Sequence, residues 1–420
     1  MEVNQITRDS DDVNLSRNII VLIGLGLVLS SITQNLMAYV PGIIVLFICA
    51  LHYKEFIKQP RLVQFWKTHR FWVVSTSIAI ALCLASVMWS TLPVLSIERL
   101  GKIIFLGIFG ILFLYVFWWV LNFANYASLS LIIKIYMVSF LTSLSLLCLL
   151  LLLTNFLPHL TEKTLGIIVS SLNKPTLIIF LCAIPAFFVM FMLKYYISLS
   201  ISTFLVLASL ALTASQASYL IVFGALITIV FGKLSKKILI PLNAVTWGSV
   251  FFFLPFGLVL YGAALLEVFD GLREYNFYAS PFARFEIWYG ASKLIFDEFW
   301  LGHGINTFRD TTLPISQNFL KTYLMLHPHN APLQIWFEFG VVGIFLTICF
   351  LVGVFHKIYQ IAGPQKIMLL AFINAYILQL MVSYGLWQGW NIGFLFFFSA
   401  YYRLSSLLIE SNNIEEKNHF

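Results

Sequence analysis

Charge is what this chain has least of. Only 10% of its 420 residues are Asp, Glu, Lys or Arg, against roughly 25% in a typical soluble domain. That is too little polar surface to cover a water-soluble fold of this size, even allowing for the apolar atoms that normally stay exposed. Cysteine is also scarce: Cys49, Cys83, Cys148, Cys182 and Cys349 all lie in apolar runs. With no CxxC pair and no histidine partner, they give neither a disulfide framework nor a thiolate metal site. There is no internal repeat and no long linker. The opening MEVNQITRDSDDVNLSRN is too acidic for a secretory leader, and no small-residue cleavage site follows the first apolar run, so the first span is expected to be retained.

What is present is apolar. Hydrophobic residues make up 60% of the chain and aromatic ones 17%, and the mean hydropathy is +0.92. The expected fold is an all-α, polytopic integral membrane protein forming one membrane domain over residues 1–420. A hydrocarbon core of about 30 Å needs roughly 17 to 25 apolar residues per helix. About twelve such segments can be read, centred near residues 26, 44, 80, 111, 142, 183, 204, 224, 252, 344, 375 and 396.

The net charge of +7 fits basic loops rather than a nucleic-acid partner. The densest basic stretch, KEFIKQPRLVQFWKTHR, separates the second and third spans and is expected on the cytoplasmic side. An even number of spans then puts both termini there. On this orientation sixteen Lys and Arg fall inside and four fall in short outside loops. One long outside loop, over residues 266–330, separates the ninth and tenth spans, and a long loop presented by a rigid frame is where function should be sought.

Within that loop, Trp288, Ala291, Ile295 and Phe299 recur at helical spacing in ARFEIWYGASKLIFDEFWLGHG, predicting an amphipathic helix along the membrane surface that breaks at Gly302–Gly304. Arg284 lies one turn before Trp288 and faces either a phosphate or lipid headgroups. Downstream, MLHPHNAPLQIWFEFGVVG runs straight into the tenth span, with Asn330 at the N-cap position and Pro332 in the first turn. The positive end of that helix should emerge beside His327 and His329, a suitable place to hold a pyrophosphate. Pro328 favours extended backbone, so the two histidines are expected to point in different directions.

Other polar residues carry two readings each. Thr213, Ser215, Gln216 and Ser218 sit at the junction of the seventh and eighth spans, where they line a cavity or cap the helix ends. Glu338 lies about 12 Å of helical rise beyond Asn330 and on the same broad face as Gln334; it orients a histidine or holds helices together. His303, His327 and His329 lack the carboxylate or cysteine partners of a convincing metal site, so neither metal nor cofactor is expected.

The segments RFEIW, LGHGINTF and HPHNAPLQIWFEFGVVG, together with WSTLPVLSIERLGK earlier in the chain, resemble those of the bacterial O-antigen ligases and their relatives, the O-antigen polymerases and pilin oligosaccharyltransferases. The resemblance implies transfer of a glycan from an undecaprenyl-diphosphate carrier to lipid A core oligosaccharide, without a required metal, on the periplasmic face of the inner membrane. It implies His329 as the essential histidine and Arg284 as the loop arginine. A second arginine usual in the family is replaced here by Gln216, leaving Arg273, Arg309 or Lys321 to compensate or the donor to be held differently. The chemistry suits these residues: fixed cations stabilise a leaving diphosphate, and an imidazole helps an acceptor hydroxyl lose its proton. Repeat-unit polymerisation or protein glycosylation differs only in acceptor. A twelve-span transporter is the reading from another class, and it calls for paired half repeats and broken helices near the midplane.

Overall fold

The computed structural model describes residues 10–58, 62–123, 129–232, 236–271, 279–314 and 325–418. The helices are α1 Ser10–Ser30, α2 Val40–Lys58, α3 Leu62–Ser86, α4 Pro93–Phe123, α5 Leu129–Phe156, α6 Pro158–Leu165, α7 Asn173–Met192, α8 Tyr196–Leu212, α9 Gln216–Gly232, α10 Lys236–Gly271, α11 Ala279–Ile295, α12 Ala331–Gln360, α13 Gln365–Leu380 and α14 Gly389–Asn418. No strand occurs among the described residues. Among the described residues seven helices are long and apolar enough to cross a membrane: Leu62–Trp89, Pro93–Leu121, Ser130–Phe156, Val169–Met192, Ile238–Gly271, Ala331–Gln360 and Gly389–Ser411. Five shorter apolar helices accompany them, at Asn18–Ser30, Val40–Ala50, Tyr196–Leu212, Gln216–Gly232 and Gln365–Leu380. Each expected span centre falls within one of these helices, seven of which meet the length that spanning requires.

The described residues fall into two compact units, residues 1–70, 105–222 and 389–420 in the first and 71–104 and 223–388 in the second. In the first unit α5 packs on α1 and α8, and α7 packs on α14. Close packing is the main source of cohesion where water supplies no hydrophobic drive. At Gly110 an added Cβ would lie 2.2 Å from the Phe396 ring, so the helices approach through a missing side chain. Buried hydroxyls here mostly bond to their own helix, Ser143 Oγ to Ser139 O at 2.6 Å, Thr154 Oγ1 to Leu150 O at 2.9 Å and Thr176 Oγ1 to Leu172 O at 2.7 Å.

In the second unit α10 packs on α11 and α12. Its core is aromatic: Trp336 is fully buried among Phe252, Phe256 and Phe299, and its indole N–H donates to Phe251 O at 2.9 Å.

Helix α12 departs from the uninterrupted span that its sequence predicts. It is broken at Gly340, where φ is 57° and ψ is −153°, a backbone conformation essentially restricted to glycine. The chain from Phe299 to Gly304 fills the break. Val341 N–H donates to Phe299 O at 2.9 Å and Val342 N–H to Trp300 O at 3.3 Å, while the carbonyls of Phe337 and Glu338 accept from His303 and Gly304 N–H at 2.8 and 2.9 Å. Each backbone group named here thus has a protein partner, which is how broken helices are tolerated in apolar surroundings. The same contacts explain why α11 ends at Ile295, before Phe299. The segment beyond it is committed to α12, and Gly302, with φ +67°, has no room for a Cβ against Glu338 and Phe339 backbone.

Two motifs distant in sequence prove to be one structural device. Trp89 Nε1 donates to Leu301 O at 3.1 Å, Thr91 N–H to His303 O at 3.1 Å, and Ser96 Oγ to Ile305 O at 2.6 Å. The WSTLPVLS segment therefore grips LGHGI along its backbone. That segment in turn fills the break in α12.

Candidate active site

The second unit brings Arg284 and His329 together. Arg284 lies on α11 four residues before Trp288, so the two side chains share a face. The Trp288 indole N–H donates to Pro328 O at 2.9 Å, anchoring the His–Pro–His segment to that face. α11 does not present a simple apolar stripe: Ala291 and Ile295 are buried as expected, but so are Glu286 and Ser292. Asn330 caps α12, its side-chain oxygen accepting from Leu333 N–H at 3.1 Å and its amide donating to Met381 O at 3.1 Å. Both ends of that side chain are thereby used in holding the start of the helix.

The two histidine rings meet edge to face, with centroids 4.2 Å apart, rather than diverging. The reason is the left-handed backbone of His329, φ +54°, which redirects the chain after Pro328. Such a conformation in a non-glycine residue costs about 1 to 3 kcal/mol and recurs at functional sites. His329 Nδ1 is hydrogen-bonded to the Ser383 carbonyl. Only an N–H can donate to a carbonyl, so the proton sits on Nδ1 and the lone pair on Nε2.

Burial, reinforced by the neighbouring Arg284 charge, lowers the His329 pKa from its ordinary 6.5 to about 4, despite the opposing bond to Ser383. The imidazole is therefore neutral at pH 7. Burial also lowers the Arg284 pKa from 12.5, with Tyr384 close enough to oppose the shift; a guanidinium remains cationic regardless. A neutral imidazole beside a fixed cation is thus assembled from the loop, α11 and the turn before α14.

That turn, residues 381–388, has no counterpart in the sequence-based site and is held from many sides. Gln334 Oε1 accepts from Leu386 N–H at 3.0 Å, and the Trp387 indole donates to Glu338 Oε2 at 2.5 Å. Glu338 is fully buried, with its other oxygen accepting from Gln334 Nε2 at 2.9 Å. Gln388 Nε2 lies 3.1 Å from His327 Nε2, and since the amide nitrogen can only donate, His327 Nε2 accepts. Arg99, on α4, donates to Trp387 O at 2.9 Å. Glu338 acts here as a link between α12 and the turn.

Beside the histidine pair is a cavity of about 130 Å³, lined by Arg99, Arg309, His327, Gln334, Trp387 and Gln388 among others. Arg284 and His329 are not among its lining residues. Arg309 is exposed, on a 3-10 turn, Thr307–Asp310. Gln216 belongs to the first unit, at the start of α9. Next to it Thr213 Oγ1 accepts from Ser215 N–H at 3.2 Å, a local cap. Arg273 and Lys321 lie outside the described residues. His303 stacks on Phe337 and its Nε2 is hydrogen-bonded to Leu294 O. Among the described residues no group of three or more His, Cys, Asp and Glu side chains could hold a metal ion.

Sequence reading missed Arg99, Tyr384 and Gln388. The signal for Arg99 was present, since an arginine within an apolar helix is by default a functional candidate. Tyr384 and Gln388 carried no periodic or spacing signal.

Comparison with known proteins points the same way. Residues 201–348 match the family model described as O-Antigen ligase, a stretch that holds Arg284, Arg309, His327, His329 and Asn330 but neither Arg99 nor the 381–388 turn. A protein of Rickettsia conorii named "Putative polysaccharide ligase" is 33% identical over 117 residues, 26% of this chain and 28% of that protein. One of the same description from Rickettsia felis is 39% identical over 71 residues, 16% of this chain and 17% of its own. The aligned part thus spans less than a third of either relative. Over residues 201–348 this chain is similar to the O-antigen ligase family, in line with the resemblance in its sequence.

Proposed function

We propose that this chain is a polysaccharide (O-antigen) ligase, moving a glycan from undecaprenyl diphosphate to lipid A core oligosaccharide at the periplasmic face of the inner membrane. On this reading it is a twelve-span protein with both termini cytoplasmic and its site in the 266–330 loop. The observation that carries the proposal is the His329–Arg284 pair, a neutral imidazole with its tautomer fixed by Ser383 and a guanidinium beside it.

Attack of an acceptor hydroxyl on the anomeric carbon breaks the bond to the diphosphate. His329 Nε2 takes the hydroxyl proton, and Arg284 stabilises the charge that collects on the departing diphosphate. His327 and Arg309 contact substrate; Asn330 acts by fixing the helix start. Arg273, Arg309 or Lys321 supplies the positive charge that Gln216 does not.

The break in α12 gives the transporter reading its one structural argument, since transporters coordinate ions at such breaks. Here the carbonyls of Phe337 and Glu338 are taken by His303 and Gly304 N–H, which favours a structural break.

The test is transfer by the full chain in proteoliposomes, from undecaprenyl-diphosphate-linked glycan to lipid A core. His329→Ala should lower the rate by about 10²- to 10⁴-fold. Transfer by the variant at the unaltered rate would remove His329 from the chemistry, and no transfer by the unaltered chain with matched donor and core would overturn the proposal.

A further inference from the structure

Arg99 is an unusual cation. It lies in an apolar helix, and its one hydrogen bond among the described residues is from a terminal guanidinium nitrogen to the Trp387 carbonyl, a neutral group. Its Nε is buried with no hydrogen-bond acceptor. The carboxylates that act on it are both engaged elsewhere: Glu98 pairs with Lys102 at 2.5 Å, and Glu338 accepts from Gln334 and Trp387. Among the described residues no carboxylate forms an ion pair with Arg99. The other charged residue lining the cavity is a second cation, Arg309, and the two repel each other. The remaining polar lining, Asn306, His327, Gln334 and Gln388, carries no negative charge at neutral pH.

The cavity thus carries two guanidiniums and no lining carboxylate, Glu98 and Glu338 acting on Arg99 from outside it, so the lining itself supplies no counter-charge. The arrangement becomes favourable when a ligand supplies it, and two guanidinium forks match the oxygens of a phosphate. From this geometry we infer that the Arg99–Arg309 cavity is a phosphate-binding subsite, distinct from Arg284, that anchors a phosphate carried by one of the two substrates next to the histidine pair. The inference rests on the glycan-transfer reading for the identity of those substrates, but not for the binding of phosphate. His327 links the two places, lining the cavity while its ring touches His329. An occupied subsite would hold substrate within one side chain of the proposed base.

The experiment is equilibrium binding to the full chain in nanodiscs of uncharged lipid. Two ligand pairs are compared: undecaprenyl diphosphate with undecaprenol, and phosphorylated core oligosaccharide with the same oligosaccharide after phosphatase treatment. Arg99→Gln keeps a donor for Trp387 O and removes the charge. The expected result is that one phosphate-bearing ligand binds better than its phosphate-free counterpart and that Arg99→Gln reduces this preference about ten- to hundredfold, the range for losing a charge-assisted hydrogen bond. The ligand whose preference falls names the source of the phosphate. Arg309→Ala, at the exposed rim, should reduce the same preference by a smaller factor, and it tests the inference even where Arg99→Gln fails to fold. Unchanged preferences in folded Arg99→Gln and Arg309→Ala, or no phosphate preference in the unaltered chain, would overturn it. An Arg99-dependent preference in a chain that transfers no glycan would retain the subsite and refute the transfer reading. Transfer with no role for Arg99 in binding would do the reverse.

Discussion

The two units differ in how much their buried polarity ties together. In the first, hydroxyls such as Ser143, Thr154 and Thr176 turn back onto nearby carbonyls, which hides a polar atom without tying distant segments together, and Tyr136 with Ser405 is a long-range exception. In the second, the polar side chains reach across the sequence. Trp288 holds Pro328, Asn330 holds Met381, Glu338 holds Trp387 and Arg99 holds the Trp387 backbone. Networks of this kind specify one arrangement and are costly when half satisfied. The contrast separates residues that let helices pack from residues that build the candidate site, and it predicts where substitutions will be felt.

The largest expected effect after His329 itself is at Arg284. Arg284→Ala should slow transfer by about 10²- to 10³-fold, the range for removing one preorganised donor to a developing negative charge. Arg284→Lys should recover only part of this, because the planar fork is lost. Transfer rates in proteoliposomes at equal protein density check both. Gly340→Ala should come next, acting on the fold rather than the chemistry. Its backbone costs about 1 to 3 kcal/mol for a residue with a Cβ, and that Cβ would lie 2.5 Å from Phe299 O. Reduced membrane abundance and a lower melting temperature are the readouts, and unaltered melting would show that the break needs no glycine.

A smaller and graded effect concerns pH. Unfolded, His329 takes a proton below its ordinary 6.5; folded, it does so only near 4. Between these values the unfolded state binds more protons, so stability falls as pH drops through that window and is fully present above it. The melting temperature should therefore decline from pH 7 to pH 4.5, and His329→Gln should flatten part of that decline. The acid limb of the transfer rate attributable to His329 should lie near pH 4 rather than 6.5. The smallest effect should be Ser143→Ala in the first unit. It removes one local hydrogen bond worth about 0.5 to 1.5 kcal/mol and should leave transfer unchanged.

Much of the fold could be read from apolar runs, because every helix that crosses lipid must satisfy its backbone internally and so announces itself by length. Asn330 and Pro332 also announced the start of α12, since capping is a local matter of a few residues. The break at Gly340 was not legible. It exists because residues 299–304 supply partners from another part of the chain, and no local pattern in VVG or FEFG signals that. The meeting of His327 and His329 was misjudged for a related reason: Pro328 predicts extended backbone, but the left-handed turn at His329 is held by Ser383, over fifty residues away. Arg284 and His329 could be named from their motifs, whereas Arg99 and the 381–388 turn join the site only through tertiary contacts.

The most direct test of this contrast is lipopolysaccharide profiling of a ligase-deficient bacterium supplied with a compatible carrier-linked glycan. The strain would express the unaltered chain, His329→Ala or Ser143→Ala at matched membrane abundance. A ladder restored by the unaltered chain and by Ser143→Ala, and absent with His329→Ala, is the predicted result. A ladder of full intensity from His329→Ala would contradict the account.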